Sequence, residues 1–204
     1  MTDQPTPAPA PKIADPGPLG LAAFALSTFV LSMYNAGILE GGRPVVVGLA
    51  LFYGGLAQLL AGMWEFKTGN TFGALAFSSY GAFWLAWAAW FVWGSAQVPG
   101  AAAGSTHNAH AIGIFLIAWG LFTAYMTVAA TRTTTVVLTV FVLLTATFFL
   151  LGIGDFVENE TIVHIGGFVG LATALAAWYS SAAGVINSTF GKTVLPVGGP
   201  LVKV

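Results

Sequence analysis

The sequence predicts an all-α integral membrane protein: a bundle of six transmembrane helices with almost nothing outside the bilayer. Three observations carry that expectation. Of the 204 residues, 57% are hydrophobic and only 6% are charged, with a mean hydropathy of +0.85. A soluble domain carries about 25% charged residues, so lipid must be the solvent for most of this surface. Charge, Pro and Gly then divide the chain into six apolar stretches, each near the roughly 20 residues a helix needs to cross the hydrocarbon. Finally, no connection between stretches is long enough to form a second domain.

Residues 1–18, MTDQPTPAPAPKIADPGP, are Pro-rich and polar. They lack the basic n-region and short apolar core of a signal peptide, and read as a disordered cytoplasmic tail running into an ordered edge. Span 1 covers 19–39 and ends at Glu40-Gly41-Gly42-Arg43-Pro44. Span 2 covers 45–64 and is closed by Glu65, Lys67 and Gly69. Span 3 covers 71–94, before a small-residue loop with Pro99, Gly100 and Gly104. Span 4 covers 109–130 and stops at Arg132; span 5 covers 134–153, before the acidic turn from Asp155 to Glu160. Span 6 covers 161–186. The transmembrane domain is thus 19–187, and 188–204 form a cytoplasmic tail with Lys192 and Lys203.

Six spans put both termini on one side. Lys12, Lys67, Arg132, Lys192 and Lys203 fall on that side and only Arg43 on the other, so both termini are expected in the cytoplasm and the chain in the cytoplasmic membrane. Trp64, Trp90, Trp93 and Trp178 lie near span ends, as interfacial anchors or as lipid-facing bulk. A net charge of −1 offers no basic face for nucleic acid. No cysteine is present, so disulfides and thiolate sites are excluded.

The spans hold no Lys or Arg in their interiors, which excludes a Schiff-base lysine and an arginine voltage sensor. An anion would therefore meet only dipoles and neutral donors. Asn35 shares one face of span 1 with Phe24, Thr28 and Leu31; it reads as a pore-lining donor or as a hydrogen bond between helices. In span 2, Gly48, Gly55 and Gly62 recur every seven residues as a packing stripe. Gln58 and Glu65 share another stripe, with Glu65 expected at the cytoplasmic rim beside Lys67. Span 3 carries Ser78, Ser79 and Tyr80 before Gly81; the Tyr80 ring can narrow a passage while its hydroxyl offers one donor. Phe141, Leu144, Thr145 and Phe148 share a face of span 5, a pore wall or simply core. His164 opens span 6 as a proton relay or as a structural histidine. His107 and His110 have H-x-x-H spacing, but no acid or Cys stands nearby in sequence, so no metal is expected. No nucleophile–base pair, phosphate-binding loop or other cofactor motif is present, which argues against an enzyme.

DPGPLGL before span 1, YNAG late in it, FYGGLAQLLAGMWEFKTGNTFGALAFSSYGAFWL over 52–85 and GKTVLPVG near the end resemble the acetate uptake transporter family, the succinate–acetate permeases. The family's entrance signature is Asn-Pro-Ala-Pro-x-Gly-Leu, from which Asp15 and Gly17 depart. The resemblance implies six helices per subunit, a homo-hexamer, and a conduction path through each subunit for acetate or similar small carboxylates. It implies a hydrophobic constriction at Phe24, Tyr80 and Leu144, and places Ala177 at a position linked to substrate size. Asn35, Tyr80 and Thr145 are the neutral donors expected to replace a carboxylate's hydration shell. Pro16 and Pro18 are expected to keep the entering chain extended, with Asp15 as a helix cap at the cytoplasmic mouth. Conduction of ammonia, or a membrane sensor that has lost transport, are the rival readings.

Overall fold

The computed structural model describes residues 13–41, 44–97 and 106–202, and among them all regular structure is helical. Six helices are long and apolar enough to cross a membrane: α1 Gly17–Asn35, α2 Val45–Thr68, α3 Thr71–Gln97, α4 His107–Ala130, α5 Thr135–Phe156 and α6 Glu160–Phe190. Residues 1–12 of the expected tail, Arg43 and the loop at Pro99, Gly100 and Gly104 lie outside the described residues.

Local chemistry sets the helix ends. At the start of α1 the N-cap position falls on Pro16, which has no side-chain cap bond, and Asp15, one residue before it, accepts from Gly17 N through Oδ1 at 2.8 Å. Pro16 is not extended, however: its φ of −78° and ψ of −14° are helical, and α1 begins at once behind it. Pro18 sits within the first turn, where its missing N–H costs nothing. Span 1 stops four residues before its expected end because Gly37, at φ +69°, turns the chain left-handed. Gly37 N then bonds Tyr34 O at 3.1 Å and Ile38 N bonds Met33 O at 3.1 Å, which satisfies the last carbonyls of α1. Gly69, at φ +79°, closes α2 in the same way. Side chains cap the next starts: Asn70 Oδ1 accepts from Gly73 N at 3.0 Å, Thr134 Oγ1 from Val137 N at 3.3 Å, and Asn159 Oδ1 from Ile162 N at 3.2 Å.

The helices pack as a circuit in the order α3, α2, α1, α6, α5, α4. Aromatic pairs between α3 and α4 complete it: Phe83 with Phe115 at 5.6 Å and with Trp119 at 5.3 Å, and Tyr80 with Phe122 at 5.5 Å. Small residues allow the close crossings. Between α4 and α5, a Cβ on Gly113 would lie 2.9 Å from Gly152 O, and one on Gly152 would lie 3.0 Å from Gly113 O. Phe52, Leu121, Val128 and Phe168 face outward, as a lipid-solvated surface requires.

Two expectations about α2 and the tryptophans change. Residues Leu49–Ala57 form a π-helical segment, whose wider turn breaks a heptad register. Gly55 and Gly62 therefore meet α3 at Leu85 and Ser78, whereas Gly48 is exposed with nothing near it. Trp64 and Trp93 are exposed near helix ends, but Trp90 lines an internal cavity and Trp178 packs on Phe29 at 5.1 Å. Within the expected C-terminal tail, the segment that follows α6 folds back on the bundle. Asn187 Oδ1 accepts from Val194 N and Leu195 N at 2.7 and 2.9 Å, and Thr135 Oγ1 donates to Gly199 O at 2.8 Å.

Candidate substrate pathway

A cavity of about 480 Å3 occupies the half of the bundle far from Gly17 and Phe190. One side of α1 lines it with Phe24, Thr28, Leu31, Ser32 and Asn35, which includes the face expected from sequence. Facing it are Phe83, Trp84 and Trp87 of α3, Asn108 and Leu116 of α4, and Leu144, Thr147, Phe148 and Leu151 of α5. Ser95 and Asp155 stand at its outer rim. No Lys or Arg is among the lining residues, so its polar groups are hydroxyls, amides, tryptophan indole N–H groups and one rim carboxyl.

The inner end of the cavity closes on Phe24, Leu144 and Phe148. Tyr80 stands directly behind them, 6.0 Å from Phe24 and 6.4 Å from Phe148 between ring centroids. It also packs on Trp119 at 6.0 Å, Phe122 at 5.5 Å and Phe141 at 6.1 Å, so one tyrosine is the hub of an aromatic plug shared by α1, α3, α4 and α5. Its hydroxyl lies 3.0 Å from Thr123 Oγ1, and Thr123 donates its own proton to Trp119 O at 2.7 Å. Tyr80 must then be the donor to Thr123. Its proton is committed to α4, and the residue contributes a ring to the passage rather than the expected hydrogen bond.

The other expected residues divide. Phe24, Asn35 and Leu144 line the cavity. Thr145 does not: its hydroxyl donates to Phe141 O at 2.8 Å and meets Thr127 Oγ1 at 2.9 Å, between α5 and α4. Ala177 is fully buried in α6 and lies outside the cavity wall. His164 is exposed near the start of α6; a Cβ on Gly37 would lie 2.9 Å from its Nε2. Ser32 and Thr147 were missed. Ser32 falls one turn after Thr28, and Thr147 belongs to the stripe Leu144, Thr147, Phe148, Leu151, Asp155, all of which line the cavity. Reading that stripe instead of the one through Phe141 and Thr145 would have found it.

At the opposite end, Glu65 is only 2% exposed rather than displayed at the rim beside exposed Lys67. Its Oε2 accepts from Thr68 Oγ1 at 3.1 Å and from Asn70 Nδ2 at 3.0 Å. Its Oε1 faces the first residue of α1, 3.5 Å from where a Cβ on Gly17 would lie. Pro18 O accepts from Ser181 Oγ at 2.7 Å, and Gly20 fits against the Phe77 ring, so the α1 entrance is gripped by α2, α3 and α6 together. No group of three or more potential metal ligands occurs among the described residues. His110 has an acid beside it after all, since Glu158 Oε1 lies 3.6 Å from its Nε2.

The model of the GPR1/FUN34/yaaH family matches residues 1–198. The chain belongs to that family. It is 42% identical over 197 residues to acetate permease A of Emericella nidulans, covering 91% of this chain and 66% of the relative. It is 40% identical over 192 residues to the succinate-acetate/proton symporter SatP of Escherichia coli K12, covering 92% of this chain and 96% of the relative. The chain thus spans about two thirds of the fungal relative and nearly all of the bacterial one. A solved structure described as the bacterial acetate channel SatP superposes with a TM-score of 0.85 at 39% identity, covering 92% of this chain and all of that one. With six helices long and apolar enough to cross a bilayer, the chain is a multi-pass membrane protein.

Proposed function

We propose that this protein carries acetate and other small carboxylates across the cytoplasmic membrane, through a path inside each subunit of a homo-hexamer with both termini cytoplasmic. The observation that carries the reading is the cavity with neutral donors at its mouth, no cation in its wall and an aromatic and aliphatic plug at its base. The relatives' names, acetate permease and succinate-acetate/proton symporter, agree with it.

Thr28, Ser32, Asn35 and Thr147 replace part of a carboxylate's hydration while the methyl group meets the aromatic wall. The neck at Phe24, Tyr80 and Leu144 is the costly step, because stripping water from a bare charge in an apolar ring is expensive. A small acid whose charge is compensated by a proton passes most easily. Large or multiply charged solutes are disfavoured. Lys67, Arg132 and Lys192 lie toward the end that carries the termini, which supports a cytoplasmic assignment of that end.

The test is competition for labelled acetate uptake by acids of increasing size. Leu144→Ala is expected to raise the relative uptake of larger monocarboxylates several-fold while acetate uptake persists. Unchanged selectivity in folded Leu144→Ala protein would remove Leu144 from the neck. Ammonia flux with no effect of any carboxylate would favour the rival solute.

A further inference from the structure

Among the described residues, the buried polar atoms that make no hydrogen bond include Ser27 Oγ, Trp84 Nε1, both amide atoms of Gln58, and Ser78 Oγ. They are not scattered. Gly54, Gln58, Gly62 and Glu65 stand at i, i+4, i+8 and i+11, within one face of α2. The first three of these positions carry or meet one of these groups. A Cβ on Gly54 would lie 2.5 Å from Ser27 Oγ and 2.9 Å from Trp84 Cδ1, the ring carbon bonded to the unpaired Nε1. Gln58 is 1% exposed with both its donor and its acceptor unanswered. Gly62 abuts Ser78, and Glu65 ends the row beside Gly17 and Gly73.

The depth of the row matters. α1 and α2 run antiparallel, with Ser27 against Gly54 and Gly17 against Glu65. Gln58 therefore lies at the level of Ala23 and Phe24, the depth of the neck. The upper end of the row touches the cavity, since Trp84 and Thr28 both line it and the Thr28 hydroxyl is also unpaired.

Buried donors and acceptors left without partners are costly, and ordered water answers such groups where they converge. We propose that water occupies this seam between α1, α2 and α3, held by Ser27, Trp84, Gln58 and Ser78, and that it carries protons from the cavity past the neck to Glu65. This rests on the acetate reading and deepens it: the carboxylate passes the aromatic ring while its compensating proton passes beside it, and the two charges cross the same depth together. Glu65 hands the proton to the inner side. The titratable group facing it from α1 is Asp15; the first turns of α3 present none, and Lys67 on its own helix is exposed. The route does not use His164, which lies exposed at the other end.

Two experiments decide this. In wild-type protein, millisecond hydroxyl-radical labelling reads bound water directly, because radicals formed from it mark adjacent buried side chains. Prompt labelling of Trp84 is expected despite its burial, with Gln58→Leu reducing it several-fold; labelling no faster than at a dry buried control such as Phe141 would overturn the hydration site. In proteoliposomes corrected for empty-vesicle leak, Gln58→Leu and Glu65→Gln are expected to keep labelled acetate exchange at equal pH within about twofold and to lose at least tenfold in accumulation driven by a pH gradient. Accumulation at wild-type level in both variants would overturn the proton route and mean that the proton crosses on the acid itself. Absence of acetate flux in wild type would sink the transport reading while leaving the labelling result to stand or fall alone.

Discussion

Tyr80 shows how much a single hydrogen bond changes a role. The residue type suggested a donor for the substrate, but Thr123 holds its proton. Tyr80→Phe is therefore expected to cost about 1 kcal/mol of stability, the usual value of one hydrogen bond, and to leave acetate uptake within about twofold of wild type. Loss of uptake at unchanged stability would show that the hydroxyl reaches the substrate. Ala177 makes the opposite case. It is fully buried and outside the cavity wall, so any effect on uptake would have to come through packing. Ala177→Leu is expected to overpack α6 by about 1–3 kcal/mol, visible as a lower melting temperature together with reduced uptake. His164→Gln, at an exposed site, is expected to leave gradient-driven accumulation unchanged; a large loss would restore histidine as the proton relay.

At the scale of the helix, the six spans were legible because lipid imposes a simple rule: every crossing segment is apolar, continuous and punctuated by charge, Pro or Gly. The cavity-lining face of α1 was legible because a straight helix keeps Phe24, Thr28, Leu31 and Asn35 on one side. α2 was misread for a physical reason. A π segment adds width to each turn, so Gly48 drops out of a stripe that Gly55 and Gly62 keep. On α5 the pattern was degenerate: threonines occur on two faces, and only packing against α4 shows that Thr145 turns away from the cavity while Thr147 lines it. The burial of Glu65 was illegible for a similar reason, since Lys67 two residues on suggested a wet rim. The helix-scale prediction concerns the α2–α3 crossing. A Cβ on Gly62 would collide with the Ser78 backbone, so Gly62→Val is expected to abolish assembly of folded protein, measured by fluorescence-detected size exclusion. A normal monodisperse peak would contradict the observed crossing.

For the whole molecule, the circuit of six helices places one aromatic plug between the cavity and the end of the bundle where α2, α3 and α6 pack on the start of α1. Nothing in a single helix does this; Tyr80 is the centre of a plug only because three other helices bring rings against it. The segment after α6 belongs to that assembly, because Tyr179, Asn187 and Thr135 all bond its backbone. If this circuit moves acetate together with a proton, labelled acetate uptake into proteoliposomes of the purified protein, under an inward acid gradient at clamped voltage and beside empty liposomes, reads it out. Protein-dependent accumulation tied to proton entry is expected, faster than lipid leak and slowed by acids small enough to compete. Uptake indistinguishable from that of empty liposomes, from folded protein, would contradict it.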